Sequence, residues 1–285
     1  MTGFEYILSK QTAWAQNRGI KLIGSKINRG KPAYTSPLEK NLFEDLLQDA
    51  KADFDAGDGG ELKGVPQKMA AVHSSSALGV NIFQYWQRVG DVPAIATACG
   101  LCASSNKSPR RIRFEQKFEI CSQFKFSPNI DVVIETDGRS RIQAYGVECK
   151  FSEAYSARQH SGLDPKYLAL TDMWTQIPET RSLAETISPK DKAFRHLHAA
   201  QLIKYVLGMK NRYSLQGFRL LYLWYDVLGE EGVVHRKEIE KFSEIVDRDG
   251  VSFKSITYQE LIARLSEQVR DGHRQYVEYI SARYL

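Results

Sequence analysis

The chain has 285 residues, a net charge of +5, and a pI near 8.9. At 42% hydrophobic and 26% charged residues it matches an ordinary globular protein and excludes a disordered or collagen-like one. No apolar run approaches the ~18 residues a membrane span needs, and the start lacks the basic and apolar regions of a signal peptide. These absences predict a soluble, cytoplasmic protein.

Four cysteines are too few for a disulfide framework at this length. "CGLC" (99–102) has no second pair, so the reading is plain thiols rather than zinc. The basic residues are clustered: Lys107, Arg110, Arg111, Arg113 and Lys117 lie in one stretch, and 190–212 forms another. Such clusters suit a phosphate backbone, although solvated faces would look the same.

In chain order, 36–54 reads as a helix, with Ser36 as cap and Leu38, Leu42, Phe43, Leu46 and Leu47 on one face. A second helix spans 74–90. "RIRFEQKFEI" (111–120) alternates as a strand. Its apolar residues Ile112, Phe114, Phe118 and Ile120 should face one way, with Gln116 breaking the set.

"NIDVVIE" and "RIQAYGVECKF" flank the turn signal "TDGRS" and predict a hairpin. The segment 152–190 is mixed. Next come a helix over 191–211, a buried strand in "GFRLLYLWYDVLG", and a helix over 233–249. A short strand at 252–258 follows, and a single helix over 259–285 closes the chain. The order predicts a mixed α/β core: a central mixed sheet flanked by helices. Residues 1–70 read as a helical extension, and 71–285 as the core with 152–190 inserted.

The spacing acid–any–lysine occurs five times, against about two expected by chance, so spacing alone selects nothing. Only "ECK" (148–150) lies on a strand of the apolar hairpin. Period two puts Glu148 and Lys150 on one face and Tyr145, Val147, Cys149 and Phe151 on the other. Antiparallel pairing brings Asp131 beside Glu148. Neighbouring carboxylates repel unless a cation lies between them. Mg²⁺ takes oxygen ligands and needs one or two carboxylates plus water and phosphate. The lysine can then orient or deprotonate a water, or hold a phosphate oxygen. An ordinary Asp–Lys–Glu ion-pair cluster is the structural alternative.

Asp131, sixteen intervening residues and Glu148-Cys-Lys150 together resemble the signature of the PD-(D/E)XK nuclease superfamily. The predicted element order over 74–227 agrees. One departure is that Pro128 stands three residues before Asp131 rather than adjacent. "QLIKY" places Gln201 and Tyr205 one helical turn apart and resembles the glutamine–tyrosine helix motif of the RecB-like branch. "HSSSALGVNIFQYW" resembles a helix of bacterial restriction endonucleases in the superfamily.

The resemblance implies a restriction-endonuclease-like core and a Mg²⁺-dependent endodeoxyribonuclease of type II restriction or defence kind, with Mn²⁺ as a substitute ion. It implies catalytic roles for Asp131, Glu148, Lys150 and Gln201, and metal contacts at Asp131, Glu148 and Cys149. A further metal-site acid is open among Glu115, Glu119, Glu39 and Glu44, with Glu115 preferred. Nucleic-acid contacts are expected from Arg110, Arg111, Arg113, Lys117, Lys204 and Tyr205. Base readout is expected from Arg158, Gln159 and His160 or from the N-terminal region. Double-stranded DNA is the implied partner. A homodimer and a companion DNA methyltransferase stay open, as does a bacterial or archaeal source. The alternatives are a RecB-like exonuclease or repair nuclease, and a DNA-binding protein without activity.

Overall fold

The computed structural model describes residues 1–25, 29–157, 160–267 and 271–285. Five strands form one mixed sheet in the order β1-β2-β3-β4-β5. They are β1 (Pro109–Lys117), β2 (Asn129–Thr136), β3 (Ala144–Lys150), β4 (Phe218–Trp224) and β5 (Phe253–Thr257). The first three pair antiparallel, and β4 and β5 add parallel to β3. Parallel neighbours need a crossover. Helix α6 (Ala199–Tyr213) lies in the first crossover and α7 (Glu230–Arg248) in the second.

Helices cover both faces. Tyr145, Val147, Cys149 and Phe151 face a core shared with α1 (Gly3–Asn17), α3 (Ser75–Arg88), α4 (Val92–Ala98), α8 (Tyr258–Glu267) and α9 (Arg274–Tyr284). The opposite face packs against α5 (Pro178–Thr186), α6 and α7. This is the expected mixed α/β architecture. Among the described residues, no helix is long and apolar enough to cross a membrane.

Besides the helix over 191–211, which begins only at Ala199, three local expectations need correction. The helix expected over 36–54 is a 3-10 turn at Leu38–Asn41 followed by α2 (Gln48–Ala56). Between them, Asn81 Oδ1 accepts the Phe43 N–H at 2.7 Å and Gln84 Oε1 accepts the Leu47 N–H at 2.9 Å. Side chains of α3 thus take backbone groups that a continuous helix would have used. The closing helix is also interrupted. A 3-10 turn at Asp271–His273 precedes α9, where Tyr276 stacks on Tyr85 of α3 at 4.1 Å.

Third, β1 changes sides. Ile112 and Phe114 join one core, whereas Phe118 and Ile120 join the other. Glu115 sits between them with φ +49, a left-handed conformation rare in an L-residue. Left-handed backbone breaks the strict alternation, so period two does not run through it.

Arg283 closes the α1–α9 side. It is 2% exposed, and its guanidinium donates to Gln11 Oε1, Asn41 O, Asn41 Oδ1 and the Tyr279 hydroxyl. Arg283→Met keeps the apolar stem and orphans those acceptors. We expect it to cost about 2–4 kcal/mol, read as a lowered urea midpoint with an unchanged m-value. An unaltered midpoint would contradict this account.

Candidate active site

The β2–β3 ladder runs from Glu135↔Ala144 to Val132↔Val147. Just beyond its end, Asp131 Oδ2 accepts the Cys149 N–H at 2.8 Å. A side chain thus replaces the ladder where the strands part, and holds its carboxylate beside Glu148. Pairing of Phe114↔Val132 and Gln116↔Ile130 puts Glu115 opposite Asp131. On the other side, Glu148 pairs with Tyr222 of β4. Glu115, Asp131, Glu148 and Tyr222 therefore form one row across four strands.

Glu148 is fully buried. Its Oε1 is ion-paired with Lys150 Nζ, yet neither oxygen receives a well-formed hydrogen bond among the described residues. A buried carboxylate without donors is costly unless a cation offsets it. Lys150 Nζ also donates to Gln201 Oε1 at 3.2 Å. The same oxygen lies 3.0 Å from His198 Nδ1, and Gln201 Nε2 donates to the Tyr205 hydroxyl. The one-turn spacing of Gln201 and Tyr205 therefore lines the site. Tyr205, 1% exposed, buttresses it from inside.

Burial and mutual repulsion both work against the ionised carboxylates of the site. Burial raises the Asp131 carboxyl well above its usual range, and Glu148 adds to this against Lys150 and the Cys149 N–H. Burial, then Glu61 and Glu148, push Glu115 up to about 7 against a hydrogen bond from Asn129. For Lys150, burial disfavours the charge, but Glu148, Glu153 and Asp131 outweigh it and keep the amine protonated.

Two acids escaped sequence reasoning as site residues. Glu61, in the loop after α2, is half-buried near Ser76 and Lys68 and within the field of Glu115. Glu153, just past the β3 strand, is half-buried. It accepts from the Phe151 N–H at 3.3 Å and faces Lys150. The clue to Glu61 was its own acid–any–lysine spacing, which identified nothing before the fold was known.

The remaining candidates are spread more widely. The Cys149 thiol lies on the opposite face, 3.6 Å from where a Cβ on Gly79 would stand, so only its main chain reaches the site. Arg111, Arg113 and Lys117 pair with Asp49, Asp53 and Asp58 at 3.0, 2.5 and 2.8 Å. Acids of α2 and its following loop thus meet three of the four β1 cations, and Arg110 is exposed. Arg158 and Gln159 lie outside the described residues. His160 stacks on His198 at 4.6 Å. Glu119 is exposed beyond β1, and Glu44 pairs with Arg88.

Among the described residues, no three His, Cys, Asp or Glu side chains stand ready around one point as a metal cage. Asp131 and Glu148 nevertheless supply buried oxygen donors. That set fits Mg²⁺, which keeps several waters and takes one or two carboxylates.

Sheet, crossover helices and the acidic row define a restriction-endonuclease-like protein. The chain belongs to the family described as restriction endonuclease associating with ARP, whose sequence model matches residues 8–285. No curated protein and no solved structure matches it.

Proposed function

We propose that this restriction-endonuclease family member is a PD-(D/E)XK enzyme, a Mg²⁺-dependent endodeoxyribonuclease acting on double-stranded DNA. The observation that carries the reading is the convergence of Asp131, Glu148 and Lys150, with the fully buried Glu148 carboxylate set against the Lys150 amine. Asp131 and Glu148 would hold the ion. When bound, Mg²⁺ supplies Lewis-acid polarisation of the phosphate and a more acidic water.

The chain's own groups do the positioning. Lys150, kept protonated by three carboxylates, donates hydrogen bonds to a phosphate oxygen or to the attacking water. It is a poor proton acceptor for the same reason. Gln201 fixes the amine through its carbonyl oxygen, and Tyr205 fixes Gln201. The Cys149 N–H keeps Asp131 turned toward the site. The glutamine–lysine contact also favours a second reading, a RecB-like exonuclease.

Supercoiled plasmid and linear DNA, each with Mg²⁺ or EDTA, test both. An endonuclease opens the closed circle only with Mg²⁺, and an exonuclease spares it while degrading the linear form. Discrete fragments from a sequenced phage DNA would show sequence recognition. If neither substrate is cut with Mg²⁺ or Mn²⁺, the enzymatic reading fails and a binding protein remains.

A further inference from the structure

Two clefts open beside the site on the α6 side. One, of about 370 Å³, is lined by Lys150, Glu153, Ser156, His160, Ser161 and His198. The other, of about 600 Å³, is lined by Ser161, Asp164, Lys166, Tyr167, Pro189 and Lys204. Ser161 lines both, so the two clefts adjoin at that residue and together make a trough beside Lys150.

The cations of this trough differ from those of β1. Lys204 is half-buried one helical turn from Gln201, whose carbonyl oxygen touches Lys150. Among the described residues it has no ion-pair or hydrogen-bond partner. Burial, then Lys166, loosen its proton, and only Glu148 opposes them. A desolvated amine facing another amine is unfavourable unless an anion is to be placed there. Lys166 pairs with Asp164 at 3.3 Å, but both are about half exposed and the pair is weak. Lys190 and Lys192, also exposed, follow Pro189 at the rim. On β1, by contrast, Arg113 is held by the buried Asp53 at 2.5 Å, and Arg111 and Lys117 meet Asp49 and Asp58 in exposed pairs as weak as Lys166–Asp164.

We propose that the scissile DNA strand lies in this trough, with phosphates flanking the cut held by Lys204 and Lys166, and that β1 is not its track. The proposal rests on the nuclease reading above and adds the path of the strand. His160 and His198, stacked at 4.6 Å, line the cleft nearest Lys150.

Anisotropy of a labelled duplex oligonucleotide, titrated in EDTA over a series of KCl concentrations, tests it without any cleavage. Lys204→Gln should weaken binding and flatten the slope of log K against log[KCl] by about one. Adding Lys166→Gln should flatten it by about two, and Lys204→Arg should restore the wild-type slope. Arg111→Gln should change it less than Lys204→Gln. A wild-type slope in the double variant, or an equal loss on Arg111→Gln, overturns the trough while leaving the nuclease reading intact. Wild-type protein that neither binds nor cuts DNA removes both.

Discussion

Asp131→Asn should reduce Mg²⁺-dependent cleavage by at least about 10²–10³-fold while leaving the fold and DNA retention at low salt in place. An amide oxygen can still accept the Cys149 N–H, so the parting of β2 and β3 keeps its side-chain bridge. What is lost is a charged ligand. The substitution also removes repulsion from Glu148 and Glu115, so stability should hold or rise. Asp131→Ala should abolish cleavage too, but it also orphans the Cys149 N–H. Lys150→Ala should abolish cleavage at a stability cost of about 3–5 kcal/mol, because Glu148 is then buried without its ion-pair partner. The asparagine variant is therefore the decisive one. Wild-type turnover in a folded Asp131→Asn protein would remove Asp131 from the site.

The second large effect is on pH-dependent stability. Glu115 titrates at about 7 in the fold against an ordinary value of 4.5. Below about pH 4.5 both states are protonated and the group costs nothing. As pH rises, the unfolded chain releases its proton first, so stability falls progressively until about pH 7. The full penalty is of order 3 kcal/mol at most. His73 and His198, held neutral by burial with values of about 4 and about 3, act in the opposite sense on acidification below about 6.5. Glu115→Gln separates the two. In EDTA its Tm advantage over wild type should be small near pH 4.5 and grow toward pH 8. Mg²⁺ at pH 8 should raise the wild-type Tm by binding the ionised site. A Tm difference that does not vary with pH would mean that Glu115 is not desolvated beside the other carboxylates.

Much of the site could be read from local periodicity. A strand period of two separates Glu148 and Lys150 from Val147 and Cys149, and packing only confirms which face is core. A helical period of 3.6 sets Gln201 and Tyr205 on one side whatever α6 packs against. The order of α3, the four strands and α6 between residues 74 and 227 was legible for the same reason, each apolar pattern being complete within its own residues, whereas the short α4 was not read.

Other features depend on contacts distant in sequence. The 36–54 segment has a helical pattern, yet Asn81 and Gln84 claim its backbone N–H groups from another element. Glu115 takes a left-handed backbone in an otherwise alternating strand, which no neighbour in sequence requires. Nothing in the basic run of β1 foretells that α2 places Asp49 and Asp53 against it.

The sequence by itself determined the alternation of elements, the shared face of Glu148 and Lys150, and the glutamine–tyrosine spacing, because backbone geometry makes these local. Only the tertiary structure decided which charges are neutralised, which carboxylates are desolvated, and that Glu61 and Glu153 lie in the field of Glu115 and Lys150. Charge–charge energies and burial depend on separation in space, and residues as far apart in sequence as Glu61 and Glu115 come within each other's field only when the sheet and its two helical layers assemble.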